Sequence, residues 1–153
     1  MARIEQRPGD ATHEVFNQST PFAGANLFRT NRALRDALKF HAPKLDTTRL
    51  DLLGAEAGSA TMQQHARLAN THAPVLHSHD RFGHRVDQVE FHPSYHALMA
   101  TALAHGLHGT PWAGGAHAHL RRAAGFMICT EMEPATLCPI SMTCAGTPAL
   151  QGN

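Results

Sequence analysis

Pro93-Ser94-Tyr95-His96-Ala97-Leu98-Met99-Ala100-Thr101-Ala102-Leu103-Ala104-His105-Gly106 is the stretch that decides the fold class. Tyr95, Leu98, Met99, Ala102 and Leu103 recur at i, i+3, i+4, i+7 and i+8, the spacing of a helix with one apolar face. Pro93 suits a first turn, where the missing N–H would have no partner, and Gly106 suits the end. Downstream, past Trp112 and the Gly114-Gly115 break, Leu120, Ala123, Ala124, Met127 and Ile128 repeat the spacing on a helix that reaches about Glu133 and stops at Pro134. A last helix is expected to start near Pro139, carry Ile140, Thr143 and Cys144, and reach Gly146.

Upstream the signals are shorter. Thr30 or Asn31 can cap a helix bearing Leu34, Ala37, Leu38 and His41 and ending at Pro43, with Arg32, Arg35 and Lys39 outward. Asp46 can cap a second with Leu50, Leu53 and Ala57 inward, which Gly54 and Gly58 mark as short or frayed. Ser59 can start a third with Met62, Ala66 and Ala69 inward. Residues 71–91 break this pattern with Pro74, Gly83 and a polar run, and predict a long irregular connection. Residues 1–29 contain Pro8, Gly9, Pro21 and Gly24 and predict an extended arm, with a short strand at His13 to Asn17. The sum is an all-α, antiparallel assembly of five to six helices, with the arm over 1–29 and the helical domain over 30–153.

Composition narrows the function. Thirteen Lys and Arg against twelve Asp and Glu leave a formal charge of +1, so no long-range field favours nucleic acid or an anionic membrane. No apolar run is long enough for a bilayer, and the polar start carries no secretory leader, which predicts a cytoplasmic protein. Cys129, Cys138 and Cys144 sit in apolar company and read as reduced core thiols. The thirteen histidines form close pairs: His77/His79, His92/His96, His105/His108 and His117/His119. No pair brings the third and fourth ligands that zinc needs, and a His at a helix start, such as His92, more often bonds a backbone group. No nucleophile elbow, phosphate-binding Gly loop or Cys-x2-Cys occurs, so no catalytic or metal residue is assigned.

Val89-Glu90-Phe91-His92-Pro93-Ser94-Tyr95-His96-Ala97-Leu98-Met99 resembles a segment of the AidB-like, alkylation-response branch of the acyl-CoA dehydrogenase superfamily. In the same order come Val15-Phe16-Asn17-Gln18 with Asn26-Leu27, Arg67-Leu68-Ala69-Asn70, Trp112, Arg122 to Met127, and Cys138-Pro139-Ile140-Ser141-Met142-Thr143. The resemblance implies the N-terminal helical domain of an FAD-binding, oligomeric flavoprotein whose middle β domain and C-terminal helical domain hold the flavin grip and the catalytic base. Neither segment is in this sequence, so the chain is expected to be inert alone, with FAD belonging to the parent. Its expected partners are those two domains and further subunits; DNA would be met only through parts outside it. By the same resemblance Ser141, Met142 and Thr143 are candidates to line the acyl/flavin pocket, with plain helix packing as the alternative. Without its neighbours the domain is expected to leave stripes such as Leu98/Ala102 or Ala124/Ile128 partly uncovered. A free-standing helical binding module, and metal or pH sensing through the histidines, are the competing readings.

Overall fold

The computed structural model describes residue 12 and residues 16–151. Among them are seven α-helices, a short 3-10 turn and one two-stranded sheet. The helices are α1 (Leu27–Thr30), α2 (Arg32–His41), α3 (Thr48–Ala57), α4 (Ala60–Thr71), α5 (Pro93–Ala104), α6 (Ala118–Met132) and α7 (Leu137–Gln151). The fold is therefore mostly helical, but strictly all-α is corrected by the sheet, and five or six helices by seven. Of the expected strand at His13 to Asn17, residues 13–15 lie outside the described residues, and Phe16 and Asn17 are not in a strand.

Local chemistry sets the helix starts. Asn26 Oδ1 accepts from the N–H groups of Phe28 and Arg29, starting α1 inside the stretch expected to be arm. Asn31 caps α2 through Leu34 N–H, Ser59 caps α4 through Met62 N–H, and Asp46 accepts from both Thr48 N–H and Thr48 Oγ1 at the start of α3. His92 caps α5, its Nδ1 accepting from Ser94 N–H at 3.1 Å, the backbone role expected of it.

One core joins these helices. α1 packs on α3, α3 on α6, and α4 on α5. Leu27, Leu53, Leu98, Leu107, Ile128 and Ile140 are almost fully buried at its centre. Gly54 is not a point of fraying: a β-carbon there would run into the Asn26 side chain and the Phe28 backbone, so the glycine permits the close approach of α1. The stripes expected to be uncovered are covered, with Leu98 and Ala102 at 1% and 3% exposure and Ala124 and Ile128 at 2% and 0%. What remains open is the rest of those faces: Ala123 and Met127 of α6 and Ala37 of α2 are exposed.

The connection expected to be irregular is an antiparallel hairpin. β1 (Val75–His79) pairs with β2 (Arg85–Glu90), Leu76 opposite Val89 and His77 opposite Gln88. Asp80 builds the turn by accepting from the N–H groups of Phe82 and His84, and Gly83 takes φ +89°. The register slips between His77 and His79, opposite Asp87 in a left-handed conformation at φ +46°. Every residue of both strands is exposed, including Val75, Leu76, Val86 and Val89. With neither face buried, the apolar/polar alternation that announces a strand is absent.

Candidate functional site

Ser141, Met142 and Thr143 stand on α7, which begins two residues before Pro139 and runs beyond Gly146 to Gln151. Its start is fixed by Glu133, a carboxylate only 3% exposed. Glu133 accepts from Ala135 N–H at 2.9 Å, Thr136 N–H at 2.7 Å and, across from α4, Asn70 Nδ2 at 3.2 Å. Burial works against its charge, but the hydrogen bonds from Thr136, Ala135 and Asn70 prevail and hold its pKa below the usual range.

The far end of α7 is held differently. Pro148 has no N–H to give the carbonyl four residues back, Cys144. Trp112, on the 3-10 turn Thr110–Ala113, supplies a substitute: its indole N–H donates to Cys144 O at 2.8 Å. The 3-10 turn is thereby tied to α7, a connection carried by a single Trp and a single Pro that are 36 residues apart (148 − 112).

Between these fixings the outer side of α7 is bare. Cys138, Met142, Ala145 and Ala149, at i, i+4, i+7 and i+11, are all exposed, Met142 at 70%. Ser141 is half-buried, and Thr143 Oγ1 donates to Pro139 O at 3.1 Å. The three candidates thus share one turn of helix. Cys138 is exposed, which corrects the expectation of three core thiols; Cys129 is buried and Cys144 half-buried.

The described residues offer little for covalent or metal chemistry. Burial, and then the nearby charge of Glu56, push the Cys129 thiol up to about 12, so it holds no thiolate at neutral pH. Burial also opposes the charge of Glu56, yet donation from His105 Nε2 at 3.0 Å and Thr101 Oγ1 at 2.8 Å holds its pKa below the usual range. The histidines are dispersed on separate partners: His77 on Glu90, His84 on Asp80, His65 on Ser94, and His72 stacked on His92. Among the described residues no three His, Cys, Asp or Glu side chains converge as metal ligands. None of the described helices is long and apolar enough to cross a membrane.

Several hollows open on the surface among the described residues. A groove of about 460 Å³ between α2 and α6 is lined by Leu34, Ala37, Leu38, Leu120, Ala123 and Met127. A cavity of about 180 Å³ beside the hairpin's base is walled by Pro74, Phe91, Tyr95, His72 and His92. A smaller one, about 120 Å³, lies at the start of α6 and is lined by Arg49, Arg121 and Arg122. Periodicity named the groove's lining residues on α2 and α6, and the Val89 to Met99 motif contains Phe91, His92 and Tyr95, but neither showed that these residues border open hollows; for the third the signal in the sequence was the Arg121-Arg122 pair.

Residues 17–153 match the family model of the adaptive response protein AidB N-terminal domain. The putative acyl-CoA dehydrogenase AidB of Escherichia coli (strain K12) is 38% identical over 141 residues, which cover 91% of this chain and 26% of that protein. This chain therefore spans about a quarter of the length of that curated relative. Among solved structures, Bd2924 in its apo form superposes with a TM-score of 0.71 at 26% identity, over 90% of this chain and 28% of the other. ACDH-11 of Caenorhabditis elegans, solved in complex with C11-CoA, superposes at 0.73 with 18% identity, over 98% of this chain and 27% of that one, a likeness of fold alone. The chain belongs to the AidB N-terminal domain family, the N-terminal domain of an acyl-CoA-dehydrogenase-like protein.

Proposed function

We propose, taking membership of that family as the premise, that this chain is a wall and assembly domain of an FAD-dependent, acyl-CoA-dehydrogenase-like protein of the DNA alkylation response. It performs no chemistry by itself. The observation that carries the reading is the bare stripe Cys138, Met142, Ala145 and Ala149 on a helix otherwise held by its own chain. A soluble domain that presents small and apolar residues along one face of a 15-residue helix offers that face to a cover. In this reading the cover is the middle β domain of the parent, and Ser141, Met142 and Thr143 line the acyl/flavin pocket that forms between them. The open groove of α2 and α6 is a second contact, with the C-terminal helices or another subunit.

FAD is then bound by the parent and not by these residues alone, whose inert Cys129 and dispersed histidines suit a structural role. The net charge of +1 supports a division of labour in which DNA is met elsewhere in the parent, in the cytoplasm. The exposed apolar residues of both hairpin strands favour one competing role, a free-standing binding module that docks through the hairpin.

The test is reconstitution. Purified chain is mixed with the Escherichia coli relative lacking its matching N-terminal quarter, and the product is separated by size and scanned for flavin absorption. A stoichiometric complex that retains flavin, with no flavin on this chain alone, is expected. Tight flavin binding or acyl-CoA oxidation by the isolated chain would show the inert-wall reading to be wrong. No complex, together with capture of another protein through the hairpin, would favour the binding module.

A further inference from the structure

The arginine-lined cavity at the start of α6 has no part in the role above and carries chemistry of its own. Arg49 comes from α3, Arg121 and Arg122 from the first turns of α6, and His105, Gly106, Thr110, Pro111, Gly114 and Ala118 complete the lining. Three arginines line about 120 Å³, and their like charges repel one another unless a negative charge sits among them. Two carboxylates lie nearby, and both are engaged. Glu56 is taken up by His105 and Thr101, while Asp46 is bound to Thr48 and acts on Arg121 only at longer range. Arg49 and Arg121 make no ion pair within 4.0 Å among the described residues, whose arginine pairs are those of Arg29, Arg32 and Arg85.

Arg122 is pre-positioned. Its Nε donates to Leu107 O at 2.7 Å and its guanidinium lies 5.1 Å from the centre of the Phe126 ring, so its plane is fixed before any ligand arrives. The first turn of α6 adds to this: His117 at the N-cap makes no side-chain cap bond, and the turn contains no acidic residue. The positive end of a 15-residue helix, whose first residue Ala118 lines the hollow, therefore lies beside the arginines.

We propose that this cavity binds the terminal phosphate or pyrophosphate of a small phosphorylated molecule. Forked guanidinium donors on several sides match a tetrahedral oxyanion, and the volume suits such a group while excluding a polymer backbone from its depth. The near-neutral charge supplies no long-range field that would draw duplex DNA to the cavity.

The experiment uses the whole chain, with sodium pyrophosphate and inorganic phosphate as probes at constant ionic strength. Calorimetry is expected to give one saturable site, weakened about tenfold or more by Arg49→Gln or Arg121→Gln, since each loses charge-assisted hydrogen bonds. Circular dichroism confirms that the variants are folded. Independently of any variant, pyrophosphate is expected to protect Arg49 and Arg121 from phenylglyoxal several-fold, as read by mass spectrometry, and to leave Arg32 and Arg67 unprotected. Absence of saturable binding, or equal modification of all four arginines with and without the probe, overturns the proposal. So does a short DNA duplex that binds more tightly than pyrophosphate and depends on the same two arginines, because the cavity would then be a nucleic-acid contact.

Discussion

Helices α6 and α7 have 15 residues each, follow one another in the chain, and are held in place by different physics. α6 buries Ala124, Gly125, Ile128, Cys129 and Met132, whereas α7 buries only Leu137 and Ile140. The first is fixed by the hydrophobic effect and close packing. The second is fixed by polar handles, Glu133 at its start and Trp112 toward its end. A helix attached this way keeps its place while leaving most of its surface for something else, which is the behaviour expected of a domain wall.

The largest effect should come from the α6 side. Ile128→Ala removes a side chain with no exposed surface and should destabilise the chain by about 2–5 kcal/mol through lost burial and a residual cavity. Urea unfolding followed by circular dichroism measures it. A loss below about 1 kcal/mol would mean that α6 is no better anchored than α7, and the comparison would collapse.

Next is the handle at the start of α7. Glu133→Gln keeps the shape but turns one acceptor oxygen into a donor facing occupied N–H groups, which should cost about 1–3 kcal/mol at neutral pH. The pH dependence has a definite sign. The folded-state pKa lies below the unfolded one, so the contribution is fully present above the unfolded value. It is lost as pH falls from the ordinary glutamate range of about 4.3 through the lower folded value. The wild-type and variant stability curves should converge on acidification; a constant gap would remove ionised Glu133 as the handle.

Smaller still is the Trp112 handle, which is partly exposed. Trp112→Phe leaves Cys144 O without its donor and should cost about 1 kcal/mol, part of it offset by water. Pro148→Ala restores the backbone N–H that the helix itself would use, so in the doubly substituted chain the Trp112→Phe loss should shrink. Strict additivity would show that the indole and the proline are unrelated.

The contrast between the two helices also explains what could be read from sequence. Leu98, Ala102, Ala124 and Ile128 were legible as apolar faces because each repeats at helical spacing, but periodicity did not tell that the chain's own helices seal those faces, which were expected to lie partly open. β1 and β2 escaped because Val75, Leu76, Val86 and Val89 face solvent on both sides and write no two-residue period. Gly54 looked like a helix weakness because its reason, the backbone of α1 passing over it, lies 26 residues away at Phe28 (54 − 28). Ser141, Met142 and Thr143 are candidates only by family likeness: the exposed stripe on their helix has the composition of a buried one, and periodicity cannot say what covers it. The arginine cavity was illegible for a related reason, since Arg49 joins Arg121 and Arg122 only after α3 packs on α6.

The smallest expected change in stability is the most informative about function. Met142 is 70% exposed, so Met142→Lys should shift the unfolding free energy of the isolated chain by no more than about 0.5 kcal/mol. The same substitution places a charge in the middle of the stripe Cys138, Met142, Ala145 and Ala149, where a covering domain would have to desolvate it. Reconstitution with the truncated relative should therefore fail or weaken while folding stays intact. Thr61→Lys, at an exposed position on α4 outside both proposed contacts, should leave reconstitution unchanged and serves as the control for an added charge that is not buried. If Met142→Lys instead lowered stability by as much as Ile128→Ala, its face would already be covered within the chain. If it left reconstitution untouched, the bare side of α7 would be ordinary surface, and the polar handles at its ends would have nothing to hold it ready for.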